Sequence, residues 1–168
     1  GEKIYAKRII SNATRWDTFE RLLPSSSKPA GEKRWDTRYQ KSPSFLSLHL
    51  GVKQDLLPAG TECHHILLED WQRMEDPEST IFVSIPTLLD PSLAPPGHHI
   101  IHTFTPSWLA DWQGLDSKTY QEKKEDAAQT LIDRLETIFP GLNHALDYPE
   151  VGTPRPHRRF LVREAGTY

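Results

Sequence analysis

The stretch 79–105, STIFVSIPTLLDPSLAPPGHHIIHTFT, constrains the fold more than any other. Runs 81–85 and 99–105 are β-type. Ile81, Phe82, Val83 and Ile85 are branched or aromatic, which suits a pleated, packed surface. Between the runs stand Pro86, Pro91, Pro95, Pro96 and Gly97. Such a connection continues neither a helix nor a central strand, so the chain turns before His98. Two neighbouring antiparallel strands at the heart of one sheet are expected, joined by an irregular loop or one helical turn at 91–94.

The run 44–52, SFLSLHLGV, alternates strictly. Leu46, Leu48, Leu50 and Val52 take one side; Phe45, Ser47, His49 and Gly51 take the other. The aliphatic side faces a core. Further strands are expected at 4–12, 62–68 and 146–151. Pro106 is expected to break the strand before it. The clearest helix starts after Asp116, whose carboxylate suits an N-cap, and runs near 117–139. Its apolar stripe includes Tyr120, Ala127, Ala128, Leu131, Ile132, Leu135, Ile138 and Phe139. Pro140-Gly141 ends it. Shorter helical segments are expected at 13–22, capped by Asn12, at 34–41 and at 107–114. One more begins at Thr153-Pro154, with threonine as the cap. The class is α+β: a mixed or mainly antiparallel sheet of five to six strands covered by helices.

A chain of 168 residues buries about 70% of its unfolded surface, enough for one domain without staples. Residues 1–168 are expected to form that single domain. A net charge of −3, from 20 basic and 23 acidic residues, gives no electrostatic reason for nucleic acid. The lone Cys63 excludes an internal disulfide and points to a reducing compartment. No apolar run approaches the roughly 20 residues that span a bilayer. Met74 is the only methionine, 4–11 reads as a strand without a lead-in, and 164–168 stop in mid-turn. A domain excised from a longer protein is expected.

Chemistry is sparse. Cys63, His64 and His65 sit together, as do His98, His99 and His102, but without CxxC or HExxH. Rim histidines hydrogen-bonded to the sheet are expected rather than zinc ligands, so no metal is assigned. GxSxG is absent, and a lone cysteine in a strand is ordinarily packed. GxGxxG is absent too, so no classical dinucleotide fold is carried here. Arg155, Arg158, Arg159 and Arg163 follow a helix start and form the best anion candidate; a wetted helix face, or contact with a further domain, explains them equally. Phe104, Trp108 and Trp112 either line an apolar ligand passage or belong to the core.

Several blocks carry a family resemblance: LHLGV at 48–52, GTECHHILLEDW at 60–71, FVSIPTLLDPSLAPPGHHIIHTFTPSW at 82–108, IFPGL at 138–142 and VGTPRPHRRFLVREAGTY at 151–168. Together they resemble the carotenoid isomerase group of the flavin-dependent phytoene desaturase-like oxidoreductases. RIISNA at 8–13 is similar to the point where such chains leave the flavin domain. The resemblance is strongest from 60 to 108 and weakest at 25–41. It implies a substrate-binding domain, inactive alone, lying against a flavin domain of the same chain. The full-length protein would then hold FAD and convert poly-cis-lycopene to the all-trans form with reduced FAD, and this segment would bind none. Phe104, Trp108 and Trp112 would line the polyene passage; Arg155, Arg158 and Arg159 would meet the flavin domain. The resemblance leaves open a related carotenoid desaturase or retinoid saturase. A non-catalytic binding or interaction module is the reading outside the enzyme class. The expected location is the cytoplasm or a membrane periphery.

Overall fold

The computed structural model describes residues 2–163, 165 and 166, with the backbone alone of Lys33 and Asp36. The terminal turn expected at 164–168 lies largely outside the described residues. The chain forms two compact units, Gly1–Lys41 and Ser42–Tyr168.

In the first unit, α1 (Arg15–Asp17) runs on into a wider π-turn, Thr18–Leu22. Thr14, not Asn12, is the cap: its hydroxyl accepts from the Asp17 N–H at 3.0 Å. α2 spans Glu32–Arg38. The two are tied by Arg15, whose Nε donates to Glu32 at 2.9 Å while its guanidinium lies 4.4 Å over the Trp35 ring. Trp35 also stacks on Tyr39 at 4.8 Å, the four-residue spacing expected of one helical face. The strand expected at 4–12 is absent: this segment is irregular and Ile4, Tyr5, Ile9 and Ile10 are largely exposed. A strand needs a ladder partner, and none pairs with these residues among the described ones.

The second unit is one five-stranded sheet with helices. Its strands are β1 (Ser44–Lys53), β2 (His64–Leu68), β3 (Thr80–Ser84), β4 (His98–Ser107) and β5 (Leu146–Gly152). The order is β2-β3-β4-β1-β5 and every pairing is antiparallel. The central pair inferred from 79–105 is β3 and β4, and a 3-10 turn, Pro91–Leu93, sits in its connection. β4 runs through Pro106, which pairs with Phe45, instead of stopping there. β3 reaches only residues 102–104 of β4, so at 106 the strand has one neighbour left and a missing N–H is tolerated.

The long helix α3 (Ser117–Leu135) starts at Asp116, whose carboxylate accepts from the N–H groups of Lys118 and Thr119 at 2.9 and 3.0 Å. Its Ala127, Ala128, Leu131, Ile132 and Leu135 meet Leu46, Leu48, Leu50 and Val52 of β1, with Ile81, Val83 and Ile101, in one core. Gly141 takes φ +93 after Phe139, a left-handed turn that glycine adopts at no steric cost. The short α4 (Leu142–Ala145) follows, then β5 and α5 (Pro154–Leu161). Thr153 precedes α5 as expected but caps nothing with its side chain. Its hydroxyl instead meets the Tyr120 hydroxyl at 2.8 Å, tying α5 to α3.

Candidate functional site: the ring-bearing face of the sheet

Antiparallel register brings same-face side chains opposite one another. On the side away from the core, Phe82 stands opposite Phe104, and Ser84 opposite His102. Phe104 in turn stands opposite Ser47, His102 opposite His49, and Ile100 opposite Gly51. β2 adds Ile66 across from Phe82, and β5 adds Glu150 across from His49 and Tyr148 across from Gly51. Gly51 lets β5 approach: a Cβ there would lie 3.3 Å from that of Tyr148.

This face carries a row of flat rings. Phe82 and Phe104 stack at 4.8 Å with 14° between planes, and Phe45 tilts against Phe104 at 5.5 Å. His49 and His102 stack at 4.3 Å with only 9° between planes. α5 meets the edge of the row, placing His157 4.4 Å from Phe45. Phe82, Ile100, His102 and Phe104 are half-buried; His49, Ile66, Tyr148 and Glu150 are exposed. Burial first, then the charge of His49, holds His102 and His157 below the ordinary imidazole range. The row is a π-faced surface carried on paired antiparallel strands. It suits a flat hydrophobic ligand.

The three aromatic positions singled out in the sequence are not brought together. Phe104 lies in the row. Trp112 is 2% exposed in the core, donating its indole N–H to Ser107 at 2.8 Å, and Trp108 is half-exposed. Arg155, Arg158 and Arg159 do share one place. All three line a cavity of about 480 Å³ with Leu109, Gln113 and Gly114. Arg155 lies 4.4 Å over the Tyr120 ring. No ion pair neutralises these three among the described residues.

The remaining histidines are engaged singly. His98 Nε2 meets Asp147 at 3.0 Å, His99 Nδ1 meets the Thr87 hydroxyl at 2.9 Å, and His65 Nε2 meets the Glu62 carbonyl at 2.9 Å. Cys63 donates to the Ile85 carbonyl at 3.4 Å. Among the described residues no group of three His, Cys, Asp or Glu could hold a metal ion. Among the described residues the starts of the helices α3 and α4 are filled by side chains. Asp116 fills that of α3, and Glu136 fills that of α4 by accepting from Gly141 and Asn143 at 2.6 and 2.9 Å. Pro154 and Pro156 remove N–H donors from α5. The starts of α3 and α4 are therefore closed to a phosphate.

Sequence reasoning missed Phe45, Phe82 and the His49–His102 stack. The alternation of 44–52 put Phe45 and His49 on one side, but only the β1–β4 register shows which rings they meet.

No protein-family profile matches the chain. Over its whole length it is 55% identical to a protein of Arabidopsis thaliana called prolycopene isomerase, chloroplastic, and 56% identical to prolycopene isomerase 2, chloroplastic, of an Oncidium hybrid cultivar. It is 23% identical, over 97% of its residues, to an all-trans-retinol 13,14-reductase of Danio rerio. The chain spans about 29% of the length of the two plant relatives. It belongs to the carotenoid isomerase family, a branch of the flavin-dependent oxidoreductases. Its own residues form a segment of the prolycopene isomerase type, with a more remote likeness to a retinoid reductase.

Proposed function

We propose that this segment is the substrate-binding domain of a carotenoid cis–trans isomerase that converts poly-cis-lycopene to the all-trans form. The ring row of Phe45, Phe82 and Phe104 carries this reading, because a rigid flat apolar face is what a long conjugated hydrocarbon needs as a wall. Of the three aromatic positions expected to line the passage, Phe104 is the one we retain. Held elsewhere in the full-length chain, reduced FAD would supply electron density to the polyene. The residues here bind the polyene, orient it and exclude water.

The flavin domain of the same chain is the proposed partner. Arg155, Arg158 and Arg159, unpaired on α5, suit a contact with acidic groups on it. A hydrocarbon substrate dissolves in lipid, so the reading includes peripheral contact with a membrane. Among the described residues no helix is long and apolar enough to cross one. The proposed compartment is a reducing one, in the cytoplasm or at a membrane surface.

The likeness to a retinol reductase supports a second reading, a related desaturase or saturase. The full-length protein, reduced and supplied with poly-cis-lycopene, separates the two. Isomerisation leaves the product with the hydrogen count of the substrate by mass spectrometry. A product lighter or heavier by hydrogen overturns the isomerase reading in favour of desaturation or saturation.

A further inference from the structure

We propose that the stacked imidazoles of His49 and His102 are part of the floor on which the conjugated hydrocarbon rests, and that the floor holds it only while both rings are neutral. This rests on the reading of the sheet face as a polyene wall. The rings lie nearly parallel at 4.3 Å, with His102 6.1 Å from Phe104, so they extend the phenylalanine row. Neutral, the pair presents the same kind of flat face as a phenylalanine. A proton on either ring puts a charge where the hydrocarbon displaces water, and covering an unpaired charge costs far more than covering a neutral ring.

The surroundings do little to offset such a charge. β5 offers one carboxylate, the exposed Glu150 opposite His49, with Tyr148 beside it. β3 offers Ser84 opposite His102, and β2 offers His64 beyond it. β4 flanks the pair with Ile100 and Phe104, and β1 with Ser47 and Gly51. α5 brings a third imidazole, His157, whose Nε2 is buried without a partner. Burial first, and then the charge of His49, keeps His102 and His157 below the ordinary imidazole range. A proton on either ring costs the covered state its neutral stack. Residues His49 and His102 thereby make the choice of ligand a matter of protonation as well as shape.

The test is the affinity of the full-length protein for poly-cis-lycopene, measured in detergent micelles between about pH 7.5 and about pH 5.5. The ligand does not titrate, so any slope belongs to the protein. A ligand that excludes the protonated form weakens about tenfold per pH unit below the imidazole range. The expected result is an apparent Kd about tenfold weaker at the acid end, with an unchanged circular dichroism spectrum. His49→Phe and His102→Phe keep a flat ring without a proton site; each is expected to lose part of the acid weakening. His49→Gln, which removes the proton site without adding a ring, flattens the profile as well. A pH-independent affinity in the unaltered protein overturns the proposal, as does acid weakening that persists undiminished in both phenylalanine variants. Failure to bind the polyene at every pH overturns the wall reading itself.

Discussion

The two faces of the sheet use the same strands for opposite ends. Toward α3, β1 presents Leu46, Leu48, Leu50 and Val52, each essentially inaccessible. Toward the other side the same strand presents Phe45, Ser47, His49 and Gly51, which stand opposite Pro106, Phe104, His102 and Ile100; the last three are half-buried. The first face is covered by the apolar side chains of α3 in one shared core. The second carries stacked rings, several of them partly open to water. A fold needs the first kind of face; a binding wall needs the second. The difference shows that one strand's period-two alternation can separate stability from recognition.

That separation can be broken or sharpened by substitution. The largest effect is expected on the core face. Leu48→Ala empties a fully buried position and should cost about 2–5 kcal/mol of stability in denaturant titrations. A loss no larger than that of a surface substitution would break the comparison. Thr103 and Thr105 are the polar intruders on that face: both are fully buried and their hydroxyls have no partner. Thr103→Val, nearly the same shape without the hydroxyl, should raise the unfolding free energy by up to about 1 kcal/mol, since the desolvated group gains nothing in the fold. On the second face, Ile66 is 65% exposed, and Ile66→Ser should change stability by less than about 0.5 kcal/mol. A large loss there would mean that the second face also carries the fold.

The smallest effect at neutral pH concerns the turn beneath the core. The N–H groups of Asn143 and then Gly141 hold the Glu136 carboxyl below the ordinary carboxylate range. A carboxyl lowered in the folded state contributes stability that is present above its unfolded value and lost as pH falls through the folded one. Glu136→Gln should therefore leave a shallower acid slope below about pH 5 in thermal unfolding, with little change near neutrality. Equal acid slopes would show that this carboxylate contributes nothing to the turn.

Much of the core face was legible from residues alone. Strict alternation located β1, the branched runs around the proline-rich connection located β3 and β4, and the apolar stripe located α3. These signals are local: each follows from a side-chain period within one segment. Errors came where the answer depends on a neighbour. The run 4–12 had strand-like residues and no ladder partner. Pro106 was read as a breaker because the sequence does not show that β4 has lost one of its two neighbours there. Thr153 was read as a cap because Tyr120, 33 residues away, could not be seen to claim its hydroxyl. The ring row failed to show for the same reason. Phe82, Phe104 and Phe45 lie on three different strands, and only register aligns them. Trp112 shows the converse: its three- and four-residue spacing suited a passage or a core, and burial with its indole N–H on Ser107 puts it in the core.

The central claim is that the ring-bearing face binds the hydrocarbon and the aliphatic face does not. It is tested most directly by Phe104→Ala in the full-length protein, with poly-cis-lycopene affinity and unfolding midpoint measured on the same preparation. The expected result is an affinity loss of about 30-fold, ~2 kcal/mol, from the apolar area no longer covered, beside a stability loss of only about 1 kcal/mol. Unchanged affinity with the ring removed would contradict the account.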